Sequence, residues 1–418
     1  MKLPPCFNFI LFCRFFLRHV HSCTTIPSMT QEKNRRRKIL TISDAISAQT
    51  GLGRIHRDIV TRMVENLSDV YDVATMGYGG VGTTKIKVPQ FPIEGMNEWI
   101  IPSLPQVCDD FFGKERGTVM FIWDAHRTSW FSQPERLGGE NLAKFPGLKD
   151  WLVKADIERW IYVPVDSSGP FDKLSIPIAH TLLGFNRILA YGPFGEAVIR
   201  RTIGDDNADQ RHLSCLPHGI NSDSFYEQPR KLSRKLFLEY TGAMSLFHMY
   251  GVQRITEPIA DDEILIGVVA TNQNRKDIAL AIETASIIGS TRKVRLWIHT
   301  DALERYWNIP TLLSDYGLLN RAVVSMGLIP DSRMATAYSA CDVTLGIGLG
   351  EGMGYPIFES LFCGTPCLHA NYGGAPHWMN NPDLLIEPVA YRYEGSFASK
   401  RPVCLAQDWA DKANAVIG

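Results

Sequence analysis

From Lys38 onward, short apolar strand-like runs alternate with helix-like runs over almost the whole chain, and this alternation narrows the fold more than any other feature. A strand followed by a helix-length crossover pairs in parallel with the next strand, so the chain reads as α/β, with helices covering parallel sheets. In the first half the strands fall at Lys38–Ser43, Val119–Trp123, Trp160–Val165, Arg187–Tyr191 and Leu213–Leu216. In the second half they fall at Glu263–Ala270, Val294–His299, Ala322–Met326, Asp342–Leu345 and Pro366–Ala370. After the first strand, Ile55, Ile59, Met63 and Leu67 recur four apart beside Val60 and Val64, which builds one apolar helix face; Ile278, Ile282 and Ala285 do the same after the sixth strand. At 418 residues the chain exceeds what one hydrophobic core usually supports, so two domains are expected. The junction is placed in Asn221–Asp262, which is polar at first and then carries Met244, Phe247, Met249 and Pro258. The expected division is a first domain over 29–240, a second over 241–390, and a segment 391–418 that could pack back on the first. Two doubly wound domains facing a central cleft would bind a ligand outside the carboxyl ends of their strands.

A formal net charge of −1 and 21% charged residues give no general attraction to nucleic acid or to an anionic membrane. The one concentrated basic run, Asn34–Lys38, leads straight into the first strand and reads as a solvated lead-in. Nine cysteines are scattered without a CxxC pair, which fits a reducing compartment and a cytoplasmic location. In residues 1–28 the apolar run Phe7–Cys13 is too short to span a bilayer, and Arg14 and Arg18 lie on the wrong side of it for a secretory signal. Met29 opens a polar start that runs into the first strand, so residues 1–28 are expected to be a dispensable leader and no transmembrane segment is expected. No Asp-x-Asp occurs, no His/Cys cluster has metal-ligand spacing, and neither a Gly-x-Ser-x-Gly elbow nor a Gly-Lys-Ser/Thr loop is present, so no metal site is expected.

The most specific segment is Glu351-Gly-Met-Gly-Tyr-Pro-Ile-Phe-Glu359, between the strand ending near Leu345 and a helix closed by Gly364. Pro356 suits a first helical turn, which puts Glu351 in the loop and Glu359 on the start of the helix. Both carboxylates can then serve one crevice as acceptors for the vicinal hydroxyls of a sugar or a ribose, and the glycines let backbone approach a ligand. A first-turn glutamate favoured by the helix dipole would account for Glu359 alone, but not for Glu351 and the Gly-x-Gly-x-Pro loop.

The segment GEGMGYPIFESLFCGTPCLHANYGG resembles the E-x7-E signature and following turn of the retaining glycosyltransferases of family four, the glycosyl transferases group one. The resemblance runs roughly from Lys38 to the end and is more specific in the second half. It implies the GT-B architecture of two Rossmann-like domains, with the first glutamate, Glu351, at the transferred sugar and the second, Glu359, at the donor ribose. Asn272-Gln273-Asn274-Arg275-Lys276 opens the helix after the second domain's first strand, where fixed cations suit a departing diphosphate, and Lys276 aligns with the family's phosphate-binding lysine. The family usually has an arginine five residues earlier; Thr271 stands there, and Arg275 could substitute.

Thr50-Gly51-Leu52-Gly53-Arg54 is a short Gly-x-Gly that by itself marks only a tight turn, and the resemblance implies that Gly53 faces the donor. Gly373 and Gly374 are a second candidate source of backbone amides near the donor. Asp124 and His126 follow the strand FIWD, where the resemblance puts a histidine close to the sugar, although a surface-loop histidine fits equally well. Asp166 is expected on the acceptor side, and His218 is expected to be structural at the junction. The implied activity is retaining, metal-independent transfer of a sugar, a hexose by expectation, from a nucleotide-diphosphate sugar to an unidentified hydroxyl acceptor, with the donor as co-substrate and no cofactor. A nucleotide-sugar epimerase or phosphorylase on the same architecture, and a non-catalytic nucleotide-sugar binder, remain alternatives at this point.

Overall fold

The computed structural model describes residues 36–97, 99–135, 143–246 and 258–418. The leader 1–28, Met29, Asn34, Arg35, Phe247 and Met249 lie outside the described residues. The chain divides into two units, one ending at Val165 and resuming over Phe171–Gly219, the other made of Asp166–Pro170 and Ile220–Gly418.

The first unit holds a seven-stranded sheet of β1 (Arg37–Asp44), β2 (Tyr71–Tyr78), β3 (Gln90–Pro92), β4 (Gly117–Phe121), β5 (Ile157–Val163), β6 (Arg187–Ala190) and β7 (Ser214–Cys215). Its order is β3-β2-β1-β4-β5-β6-β7 and every pairing is parallel. The direction of winding reverses between β1 and β4, which opens a crevice at their carboxyl ends. The alternation of apolar runs gives five of these strands directly. It does not give β2, whose sequence YDVATMGY contains the poor strand formers Asp72, Ala74 and Gly77. Tertiary pairing overrides that propensity: β2 is in register with β1 from Arg37↔Tyr71 to Asp44↔Tyr78. Gly77 is needed because a Cβ there would lie 2.5 Å from Ala45 Cα.

Helix α1 (Gly51–Asn66) turns Ile55, Ile59, Val60 and Met63 into the core. Thr50 caps it, accepting from the Gly53 amide at 3.0 Å while its own hydroxyl donates to Asp44 at the end of β1. His56 ties the helix back to β1, its ring nitrogens lying 2.8 Å from Thr41 Oγ1 and 2.8 Å from the Asp44 carbonyl. Burial holds this histidine down to about 4 against the partial compensation of Asp44, so it is a neutral core residue.

The second unit contains α2 (Arg230–Thr241), β8 (Met244–Ser245), β9 (Ile264–Val269), α3 (Ile278–Gly289), β10 (Val294–Thr300), β11 (Ala322–Met326), α4 (Asp331–Ala340), β12 (Val343–Gly346), α5 (Tyr355–Phe362), β13 (Cys367–Ala370) and β14 (Leu385–Ile386). The hairpin β15 (Ala390–Glu394) and β16 (Ser399–Val403) and helix α6 (Ala406–Ile417) follow. The main sheet runs β14-β13-β12-β9-β10-β11-β8, parallel except for β8, which is antiparallel to β11. Its winding reverses between β9 and β12.

The junction lies at Gly219/Ile220, ahead of the expected 240, because α2 is built into the second unit. Phe237 is fully buried there, and the Arg234 guanidinium reaches the carbonyls of Ala260 and Glu263 as well as Asp342, which also pairs with Arg230 and accepts from the Leu265 amide. The segment 391–418 likewise belongs to this unit: α6 places Ala406, Trp409, Ala410 and Ala413 in the same core as Ile278, Ile282 and Leu368.

Replacing Thr50 by alanine removes the α1 cap and is expected to lower stability by about 1 kcal/mol in thermal or denaturant unfolding. Gly51→Ala, whose Cβ would meet nothing within 4 Å, should cost none of it. Equal losses from the two changes would mean that the cap contributes nothing.

Candidate active site

The reversal of winding in the second sheet brings two loops together, one leaving β9 and one leaving β12. They are joined along their backbones, the Asp277 amide donating to the Ile347 carbonyl at 3.1 Å and the Leu349 amide to the Arg275 carbonyl at 2.9 Å, with a bridge between Lys276 and Gly348. This zipper sets the side chains of Lys276, Arg275 and Glu351 against one another. Lys276 Nζ pairs with Glu351 Oε1, and Arg275 Nη1 lies 3.6 Å from Oε2 while donating to the Gly350 carbonyl at 3.3 Å. The Lys276 and Glu351 side chains are only 11% and 14% exposed. Burial alone would raise the Glu351 carboxyl, but the charges of Lys276 and Arg275 outweigh it and hold the group down to about 2. Burial also lowers Lys276, and Glu351 partly restores it. Gly348 makes room for this pairing, since a Cβ there would sit 2.1 Å from Glu351 Oε1.

Lys276 stands just ahead of Asp277, the N-cap of α3, whose side chain accepts from the Leu280 amide at 3.1 Å. Two cations are thus fixed at a helix N-terminus, where the backbone dipole already favours an anion. The anion that meets them is Glu351.

The Glu351 loop is clamped from its other side. Gly350, Gly354 and Gly373 adopt φ of +151°, +81° and +83°, conformations that favour glycine. The Gly374 amide donates to the Glu351 carbonyl at 2.7 Å, and a Cβ on Gly374 would fall 1.8 Å from the Gly352 carbonyl oxygen. Gly374 uses its amide to hold the Glu351 loop. Asp166 joins the second unit rather than the first: it accepts from Ser167 Oγ at 3.1 Å, lies 3.6 Å from Arg401, and its carbonyl packs against Gly350.

Glu359 sits apart from this cluster on α5, buried at 6% exposure, and its Oε2 accepts a 2.7 Å hydrogen bond from the Tyr338 hydroxyl on α4. Its neighbour Ser360 locks α5 to the sheet through Thr344 Oγ1 at 2.6 Å and donates to the Thr365 carbonyl at 2.9 Å.

The candidates in the first unit lie at its own reversal point. Gly53 spends its amide on Thr50, and a Cβ there would meet the Ala48 and Ala45 carbonyl oxygens at 2.8 and 2.9 Å, so packing of the loop on α1 requires a glycine here. Asp124 pairs with Arg127 at 3.4 Å, and that guanidinium lies 4.1 Å from the centre of the Trp99 ring. His126 is exposed beside them. His218 is buried, with Nδ1 2.9 Å from the Tyr162 hydroxyl and its ring edge-on to Tyr191 at 4.8 Å; burial, helped by Arg54, holds it down to about 3.

Two supporting residues carry no signal in the sequence beyond polarity or bulk. Asn272 is fully buried and binds the loop after β10 by accepting from the Trp307 amide at 2.8 Å and donating to its carbonyl at 2.8 Å. Trp307 then donates from its indole to the Lys276 carbonyl at 2.7 Å. Thr271 is exposed. Among the described residues no group of three or more His, Cys, Asp or Glu is arranged to hold a metal ion, and no helix is long and apolar enough to cross a membrane.

Residues 263–393, which include Lys276, Glu351 and Glu359, match the family model described as Glycosyl transferases group 1. No curated protein matches the chain. Among solved structures, Anabaena HepE in complex with UDP and glucose is similar with a TM-score of 0.59 at 14% identity, covering 91% of this chain and 90% of that one. Sucrose-phosphate synthase from Thermosynechococcus elongatus is similar with a TM-score of 0.60 at 14% identity over 91% and 90% of the two chains. WaaG, a glycosyltransferase involved in lipopolysaccharide biosynthesis, gives 0.55 at 12% identity over 91% and 90%. These likenesses establish the fold, two Rossmann-like α/β domains of the GT-B type. The matched domain marks the chain as an enzyme, a glycosyltransferase.

Because the Lys276–Glu351 pair is buried, removing one partner should be more damaging than removing both. Lys276→Met is expected to lower stability by on the order of 3 kcal/mol, and Lys276→Met with Glu351→Met to recover most of it in the same unfolding assay. Strictly additive losses would show that the two side chains do not interact.

Proposed function

We propose that this enzyme transfers a hexose, with retention of configuration and without a metal ion or cofactor, from a nucleotide-diphosphate sugar to a hydroxyl acceptor. The observation that carries this reading is the Lys276/Arg275/Glu351 cluster at the β9/β12 reversal inside the matched domain. Charge grows on the diphosphate as the bond to the sugar breaks, and two fixed cations at the N-terminus of α3 are placed to stabilise it. The diphosphate takes over the cations from Glu351, whose carboxylate then faces the transferred sugar and stabilises its developing positive charge. Glu359 holds the ribose of the nucleotide. Asp166, beside the Glu351 loop, serves the acceptor, and Asp124 and His126 of the first unit contribute at the sugar. HepE, solved in complex with UDP-glucose, supports a UDP-hexose as the first donor to test. The free cysteines of the described residues suit a reducing compartment such as the cytoplasm.

Lys276→Ala should lower turnover by about 100- to 1000-fold and weaken binding of intact donor much less, because the leaving group's charge is greatest in the transition state. Arg275→Ala should also slow turnover, since no arginine stands at Thr271. Activity should survive a chelator. The assay is transfer from UDP-hexoses to a panel of hydroxyl acceptors, with the anomeric configuration of the first product read by proton NMR. An inverted product contradicts retention, and activity lost to chelator but restored by magnesium or manganese contradicts metal independence. Sugar isomerised without acceptor would indicate an epimerase, and donor bound but never consumed a non-catalytic binder.

A further inference from the structure

Glu359 is an ionisable side chain set almost wholly inside the second unit, at 6% exposure. A buried carboxylate is costly unless strong donors hold it. One donor is the Tyr338 hydroxyl, 2.7 Å from Oε2. Tyr338 is itself 0% exposed, on the face of α4 that packs against the core. Its ring lies among Phe225 and Trp297, with centroids 6.4 and 6.3 Å away. Its carbonyl accepts from Thr365 Oγ1 at 2.7 Å, which pins the end of α4 to the turn after α5. The chain thus fixes both ends of the tyrosine's position, backbone and ring, and points a single hydroxyl at one oxygen of the glutamate. Burial first and the nearby Glu359 second raise the phenol well above its ordinary range, so the hydroxyl keeps its proton and acts as donor.

The same carboxylate is fixed from the other direction. Ser360, next in sequence, is fully buried and bonded to Thr344 of β12, so α5 cannot turn about its axis without breaking that contact. With the helix held by Ser360 and Oε2 held by Tyr338, the carboxylate is restrained at its backbone and at one oxygen. A purely structural use of this site would be served as well by an apolar pair of equal volume, which would carry no desolvation cost.

We propose that Tyr338 is a positioning residue: by holding one oxygen of Glu359 it orients the carboxylate toward the vicinal hydroxyls of the donor ribose, and so sets the preference for ribonucleotides over deoxyribonucleotides. The proposal rests on the reading that Glu359 binds the ribose. Tyr338 does not touch the nucleotide and acts only through Glu359.

The test measures the affinities of UDP, GDP and their 2′-deoxy forms by calorimetry for the full chain, Tyr338→Phe and Glu359→Gln. Whichever ribonucleotide binds should be preferred by wild type over its deoxy form. Tyr338→Phe should reduce that preference by about tenfold, the worth of one hydrogen bond to a charged group, with little change in deoxynucleotide affinity. A Phe variant that keeps the preference, or that weakens both nucleotides equally, overturns the proposal. Glu359→Gln separates the two claims. If it abolishes the preference while Tyr338→Phe does not, only the tyrosine's role fails; if it leaves the preference intact, the ribose assignment fails as well. Binding of neither UDP nor GDP overturns both. Should Tyr338→Phe not fold, the double variant Tyr338→Phe with Glu359→Gln is compared with Glu359→Gln alone. Identical preferences support action through Glu359, and a further drop contradicts it.

Discussion

A lysine and an arginine neutralising one buried glutamate organise the candidate active site. Lys276 and Glu351 come from loops 75 residues apart, and each charge is costly at its present depth without the other, while the more exposed Arg275 adds a second cation. Much of the surrounding structure serves this contact. The β9 and β12 loops are zipped by backbone hydrogen bonds, Gly348 clears space for the carboxylate, and the Gly373–Gly374 turn grips the Glu351 backbone. Asn272 and Trp307 hold the lysine's own loop from the far side. The outcome is a pair of cations at a helix N-terminus whose anion belongs to the protein.

The two glutamates differ in surroundings as well as in position. Glu351 is held by charges, which in the proposed reaction a diphosphate claims. Glu359 is held by the neutral hydroxyl of Tyr338, which lies wholly buried. In the proposed reaction this difference suits a residue that changes partners during turnover and one that keeps its place while the nucleotide arrives and leaves.

The fold was legible because apolar runs separate cleanly along the chain, and β9 to β13 fall within a residue or two of the runs that announce them. β2 was not legible, since Asp72 and Gly77 weaken its pattern and only pairing with β1 makes it a strand. The E-x7-E spacing with Pro356 places Glu351 in a loop and Glu359 on a helix. It cannot show that Glu351 meets Lys276, because that contact depends on the order of strands in the sheet. The glycine pairs were legible as turns, but which amides they spend on their own loops, as Gly53 and Gly374 do, is decided by packing. Tyr338 gave no signal at all, being one more large residue on a buried helix face. Asp166 and the helix α2 show the same limit for domain boundaries, which are set by the core a segment joins and not by its place in the chain.

In the proposed reaction Lys276 exchanges Glu351 for the terminal phosphate of a nucleoside diphosphate. The most direct measurement compares the affinities of UDP and UMP, and of GDP and GMP, for wild type and for Lys276→Ala. Wild type should bind the diphosphate more tightly than the monophosphate of whichever base it accepts, and this gap should collapse in the alanine variant while monophosphate affinity changes little. A gap of the same size in both proteins would contradict it, because the second phosphate would then be held somewhere other than the β9/β12 reversal.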